Sequence, residues 1–162
     1  MVPESLRGVP HVAALESAEP GAIVSGKLDR GESTLEIASD RIVAVCRYLH
    51  DAEQFDRLAD LTAVDWLPAE PRFEIVYHLH SMPRNLRLRL KCRVAGHSAE
   101  IESVTSVWRS ANWHEREVFD LFGVVFRNHP NLRRIMLPDD WEGHPLRKDY
   151  PVYGQKYGYK DQ

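Results

Sequence analysis

Cysteine is scarce in this chain: Cys46 and Cys92 are the only two, 46 positions apart. That spacing makes no zinc ribbon, no CxxC redox motif and no disulfide framework. Both fall in apolar periodic segments, which reads as two buried free thiols and fits a cytoplasmic compartment. Long apolar runs are missing as well. No stretch approaches the roughly 18–20 residues that a membrane span needs, and MVPESLRGVPHVAALESAEPG at the N-terminus lacks the apolar heart of a signal peptide. Any membrane association is therefore expected to come through a partner. Nor is there an excess of positive charge. Lys and Arg number 21 against 24 Asp and Glu, a net of −3, whereas a general nucleic-acid binder is usually basic. Ten prolines and nine glycines are too few for a collagen-like or low-complexity chain.

Motifs that carry chemistry are also wanting. There is no G-x-S-x-G and no G-x-x-x-x-G-K-[ST] or G-x-G-x-x-G loop. His114-Glu115 would begin a zincin motif only with a histidine at position 118, which is Val118. His78 and His80 share a strand face, but zinc wants four ligands and no third lies at a useful spacing. These absences favour a scaffold or binding subunit over a free-standing enzyme.

What is present is an ordinary globular composition, 43% hydrophobic and 28% charged over 162 residues, enough for one domain with its own core. His11 to Ser17 reads as a short helix. Residues 22–28 and 33–38 read as strands around the turn Asp29-Arg30-Gly31-Glu32. Residues 40–51 place Ile42, Val43, Cys46 and Leu49 on one helical face, with Ser39 or Asp40 available as a cap. A strand is expected over 57–66. Residues 72–80 and 86–94 alternate with period 2 and are joined by a short loop, the pattern of an antiparallel hairpin. In the second of these, Leu86, Leu88, Leu90, Cys92 and Val94 point one way and Arg87, Arg89, Lys91 and Arg93 the other. Glu74 on the neighbouring strand can pair with that basic row. A further short strand is expected near 99–104, a helix from about Ser106 to Gly123, and an extended exit at Val124-Val125-Phe126. The sum is an α+β two-layer sandwich: one mostly antiparallel or mixed sheet of four to five strands, helices on one face, and an extended C-terminal tail.

The tail differs from the body. Residues 1–126 carry a net charge of −5 and residues 127–162 a net of +2. Four prolines, the aromatic residues Trp141, Tyr150 and Tyr153, and Arg133, Arg134, Arg147 and Lys148 mark a segment that lies on its own body or on a neighbour. The two are read as a body (1–126) and a partner-contacting tail (127–162). Deleting 127–162 is expected to leave a soluble body that no longer joins its partner. Within the preceding helix Arg116 and Asp120 are four apart and can form an intrahelical ion pair.

The run from Glu115 to Ile135, E-R-E-V-F-D-L-F-G-V-V-F-R-N-H-P-N-L-R-R-I, and its continuation L-P-D-D-W-E-G-H-P-L-R-K-D-Y-P (137–151) resemble the C subunit, the 30-kilodalton subunit family, of NADH-quinone oxidoreductase (respiratory complex I). L-A-D-L-T-A-V-D-W (58–66) and F-E-I-V-Y-H-L (73–79) resemble that family's sheet, so the likeness spans about residues 40–153. It implies a non-catalytic scaffold subunit of the hydrophilic arm, with no catalytic, cofactor or metal residues of its own. The complex would use NADH, FMN, iron–sulfur clusters and quinone in other subunits. The implied partners are the D subunit (49-kilodalton-like) and neighbouring cluster-bearing subunits, with no nucleic acid. The implied place is peripheral, on the cytoplasmic face of the bacterial cell membrane, which this chain would touch only indirectly. The motif positions are Glu115, Arg116, Glu117, Asp120, Phe122, Gly123, His129, Pro130, Leu132, Arg133, Arg134, Trp141, Gly143, Pro145, Arg147, Lys148, Asp149, Tyr150 and Pro151, with structural and interface roles implied. Membrane-bound hydrogenases and other-donor oxidoreductases contain similar subunits, which leaves the electron donor open. A small nucleic-acid-binding domain and a free hydrolase are the remaining alternatives.

Overall fold

A computed structural model describes residues 6–97 and 99–151. Helix α1 (Pro10–Ala18) begins on a proline, whose missing N–H and fixed φ suit the first helical turn. Strands β1 (Ile23–Asp29) and β2 (Glu32–Ile37) form a hairpin closed by Arg30 and Gly31. Both turn residues have positive φ, 51° and 80°, the backbone of a type I′ turn whose twist matches the strands. After a 3₁₀ turn (Ser39–Arg41) comes α2 (Ile42–Asp51). The helix thus starts later than its sequence pattern suggests. Neither Ser39 nor Asp40 caps it, because the 3₁₀ turn places Arg41 at the capping position, and the Arg41 side chain reaches Glu19 at 2.8 Å rather than the free amides of the helix.

Strands β3 (Arg57–Asp65), β4 (Phe73–Ser81) and β5 (Leu86–Val94) form an antiparallel meander. The five-stranded sheet runs β1-β2-β5-β4-β3. The β2–β5 junction is parallel, with Ser33 opposite Leu88 and Glu36 opposite Lys91, so the sheet is mixed. A second, two-stranded parallel sheet joins β6 (Glu100–Glu102) to β7 (Val125–Arg127), with Ile101 opposite Phe126. The sequence alone had suggested a single sheet.

Helix α3 (Ala111–Phe122) starts five residues after the periodicity does. Trp108 explains the delay. It is buried, its indole N–H donates to the Phe55 carbonyl at 3.1 Å, and residues 105–110 turn around it instead of winding into helix. Helices α2 and α3 lie on the inner face of the sheet, where Leu49, Phe55, Ile75, Tyr77, Leu88 and Leu90 are fully or almost fully buried. Cys46 and Cys92 are free buried thiols in this core, and burial pushes both thiols up in pKa, which leaves them inert. On the outer face the basic row is partly solvated. Glu74 accepts from Lys91 at 2.8 Å and lies 3.5 Å from Arg93, as the cross-strand register requires. No helix among the described residues is long and apolar enough to cross a membrane.

Candidate functional site

Past Arg127 the described chain has neither helix nor strand. Such a segment carries backbone N–H and C=O groups that need partners from elsewhere. Here α3 and the β3–β4 loop supply them, at three knots.

The first knot is Asp120, whose side chain is fully buried on α3. Its Oδ2 accepts three successive backbone N–H groups, from Ile135 (2.9 Å), Met136 (2.8 Å) and Leu137 (2.9 Å). Its Oδ1 accepts from Arg134 at 2.6 Å. Burial by itself would raise the carboxyl pKa, but the three amides and the guanidinium outweigh it and hold the group below its usual range. Arg134 reaches on to the carbonyls of Trp141 (3.0 Å) and Gly143 (3.1 Å). The Asp120 carbonyl accepts from His144 Nδ1 at 2.8 Å, and the Leu121 carbonyl from Leu146 N–H at 3.0 Å. Gly123 ends α3 at φ 76°, and a Cβ there would come within 2.6 Å of the His144 ring. Helix termination and the close approach of His144 thus both call for glycine at this position.

The second knot is Arg116. It donates to the carbonyls of Arg133 (3.1 Å) and Arg134 (3.0 Å) and lies over the exposed Trp113 ring, 5.3 Å from its centroid. The intrahelical Arg116–Asp120 pair expected from their spacing does not form. Each instead points to the C-terminal segment, where unpaired carbonyls and amides bind it more completely than its helix neighbour could.

The third knot joins the far end of the segment to the sheet. Arg72 is buried and forks between two carboxylates. It meets Asp65 at 2.9 and 2.7 Å and Asp149 at 2.8 and 2.8 Å, both bidentate. Asp65 also accepts the backbone N–H of Lys148 at 2.8 Å. The hydrogen bonds from Arg72 hold Asp65 down at about 2 and Asp149 well below the carboxylate range. Neither Asp65 nor Arg72 stood out in the sequence. The available signal was phase: Leu61, Ala63 and Asp65 share the buried register of β3, and a carboxylate in that register needs a cation.

Beneath these knots Glu115 is completely buried. Ser103 Oγ donates to it at 2.6 Å and the Val104 N–H at 2.7 Å. Burial raises its pKa to about 7 against the pull of those two donors. His129 lies 3.9 Å away. Its Nδ1 accepts from Asn131 N–H at 3.0 Å, so the proton sits on Nε2, which donates to the Asn112 carbonyl at 3.2 Å.

The structure therefore brings together most of the motif residues singled out in the sequence. Phe122 is in the core and Leu132 packs against it. Tyr150 donates to the Glu142 carbonyl at 3.1 Å, and Arg147 to Asp149 at 3.2 Å. Trp141, Gly143 and Pro145 are half-buried beside these contacts, whereas Glu117, Pro130, Arg133, Lys148 and Pro151 are exposed. Tyr153 lies outside the described residues. Among those residues no group of three or more His, Cys, Asp or Glu is arranged to hold a metal ion.

The family model described as "Respiratory-chain NADH dehydrogenase, 30 Kd subunit" matches residues 35–156, the meander, α3 and the knotted segment together. The chain belongs to that family. It is 49% identical over 144 residues to the NADH-quinone oxidoreductase C subunit of Geobacter sulfurreducens, covering 88% of this chain and 89% of that one. It is 45% identical over 147 residues to the corresponding C subunit of a Roseiflexus species, covering 90% and 84%. Among solved structures it resembles a trypsin-resistant fragment (1–134) of Nqo5, with a TM-score of 0.65 and 31% identity over 75% of this chain and 98% of that one. It also resembles a chain of the membrane-bound sulfane sulfur reductase, an archaeal respiratory membrane complex, with a TM-score of 0.77 and 28% identity over 90% and 86%.

Proposed function

We propose that this 30-kilodalton-family chain is a subunit of a proton-pumping NADH-quinone oxidoreductase. It scaffolds the hydrophilic arm and carries out no chemistry itself. It packs against the 49-kilodalton-like D subunit and neighbouring cluster-bearing subunits at the cytoplasmic face of the membrane, which it touches only through them. NADH, FMN, iron–sulfur clusters and quinone are held by those other subunits.

The observation that carries the reading is how α3 and residues 128–151 are held. Buried Asp120, Arg116 and Arg72 fix an irregular segment from within, while Trp113, Met136 and Leu146 remain exposed on it. A segment ordered before it meets a partner loses less conformational entropy on docking, and exposed large apolar side chains beside arginines are the composition of interface anchors. The buried charged groups of the three knots, Asp120 with Arg134, Arg116, and Arg72 with Asp149, are bonded to backbone or to each other, which suits a fastener better than a reaction centre.

The test is affinity purification of the tagged chain from gently solubilised native membranes, with mass spectrometry of what co-purifies. Recovery of the 49-kilodalton-like partner, cluster-bearing subunits and NADH-quinone activity is expected. A Trp113→Ala/Met136→Ala variant is expected to recover them at least tenfold less well while melting within a few degrees of the parent. The chain alone, from the soluble fraction, overturns the reading. The likeness to the sulfane sulfur reductase chain favours one second reading, the same scaffold in a complex with a different donor. Its mark is co-purification without a flavin-bearing subunit.

A further inference from the structure

The basic row of β5 is divided. At one end Lys91 and Arg93 are engaged by Glu74. At the other, Arg87 opens onto a cleft of about 1000 Å³ between the β1–β2 turn, the β4–β5 turn and the start of α1. Five cationic side chains border that cleft, Lys27, Arg30, Arg84, Arg87 and Arg89, against the two carboxylates of Asp29 and Glu32. Arg89 is paired with Glu32 and Arg84 with Glu53. Lys27, Arg30 and Arg87 make no ion pair among the described residues, an unusual concentration of uncompensated positive charge on a body that is acidic overall.

Two further features point into the same space. The N-terminus of the nine-residue α1, the positive end of its dipole, borders the cleft at Val9 and Pro10. His11, in the next position, also lines it. It is buried beside the Phe55 ring, and its Nε2 has no hydrogen-bond partner among the described residues. A buried ring nitrogen left without a partner is unfavourable, and a ligand oxygen would satisfy it.

We propose that this cleft binds a phosphate-bearing small ligand, with Arg87, Lys27 and Arg30 as its charge partners and His11 as the donor at its inner wall. Guanidinium groups match phosphate oxygens in pairs, and helix N-termini favour the same anion. The cleft is open and lined mainly by polar groups, and its volume of about 1000 Å³ leaves room for a small ligand. The site lies on the opposite arm of the sheet from the α3 knots and does not depend on the assembly role.

The experiment is isothermal titration of the full-length chain with pyrophosphate and with inorganic phosphate at low salt. Pyrophosphate, with more oxyanions to span the cations, is expected to bind more tightly than phosphate. The Lys27→Gln/Arg87→Gln variant, which changes only exposed side chains, is expected to weaken pyrophosphate at least tenfold, in line with the loss of charge-assisted hydrogen bonds. His11→Phe, which keeps the packing on Phe55, is expected to weaken it several-fold. Retention of the chain on phosphatidic acid vesicles, lost in the same double variant, supports the same phosphate chemistry and assigns its source to a lipid headgroup. No binding of pyrophosphate, or binding equal in parent and variant, overturns the proposal. So does a preference for poly-glutamate over pyrophosphate, which would give the cleft to an acidic protein segment.

Discussion

The outer sheet face and the α3–C-terminal knots are built from the same residue types, arginine or lysine facing carboxylate, but in different surroundings. On the sheet face Arg89 and Glu32 meet at 2.8 Å with both side chains about a third exposed. In the third knot Arg72 and Asp65 meet at 2.7 Å with both almost fully buried. Water competes for the first pair and is excluded from the second. An exposed pair contributes about 0–1 kcal/mol, whereas removing one partner of a buried pair costs about 3–5 kcal/mol, because the remaining charge is stranded. The sheet face is therefore tolerant of change, and the knots are where this fold is fragile.

The sharpest way to break that comparison is Arg72→Met. It keeps the volume and strands Asp65 among buried groups, with Asp149 loosened at its exposed end. The expected loss is about 3–5 kcal/mol in urea denaturation, accompanied by faster proteolysis in residues 144–151. A loss below about 1 kcal/mol would mean that Asp65 finds water or another donor, and the two regions would not differ as described. The same reasoning changes what tail deletion can reveal. Removing residues 127–162 takes Arg134 from Asp120, the carbonyls from Arg116 and Asp149 from Arg72. The truncated body is expected to be destabilised rather than merely partnerless, so surface variants are the cleaner probe of docking.

Glu115 gives the next largest effect, and it is read through pH. Its folded pKa of about 7 lies above the usual glutamate value. A carboxyl raised on folding favours the protonated native state. That stabilisation is complete below about pH 4.5 and is lost as pH rises through 7. The full swing is on the order of 3 kcal/mol. The parent is therefore expected to lose stability between pH 5 and pH 8 relative to Glu115→Gln, which carries no titrating group there. Parallel stability–pH curves for the two proteins would show that Ser103 and Val104 keep the carboxylate ionised despite its burial.

How much of this could be read from the sequence follows the range of the interactions. The strands, the hairpin, α2 and the buried cysteines were legible because period and turn chemistry are local. The parallel β2–β5 junction was not. It joins residues more than fifty positions apart, and the alternation of β5 is the same whether its neighbour runs with it or against it. The cluster at Glu115, Arg116, Asp120 and Arg134 was legible as a motif, but its wiring was not. Spacing four apart on a helix suggested that Arg116 and Asp120 pair with each other, and it took the path of residues 133–137 to give each a better partner. Arg72, central to the third knot, had only the buried phase of Asp65 to announce it, because its second carboxylate lies 77 positions away.

The smallest expected effect tests the tolerant side of the comparison. Glu32→Gln removes the carboxylate from the Arg89 pair. With both side chains partly in water, the expected change in stability is within about 0.5 kcal/mol, and it should vanish in 1 M salt, where screening acts over about 3 Å. The buried Arg72–Asp65 pair should keep most of its contribution in the same salt. Glu32 is also one of the two carboxylates at the basic cleft, so the same substitution frees Arg89 and removes a repelling charge. Pyrophosphate is then expected to bind more tightly to Glu32→Gln than to the parent, with stability nearly unchanged. A variant that is markedly less stable would place Glu32 among the structural pairs. A stable variant with unchanged affinity would show that Arg89 and Glu32 lie outside the reach of the ligand, and would narrow the site to Lys27, Arg30, Arg87 and His11.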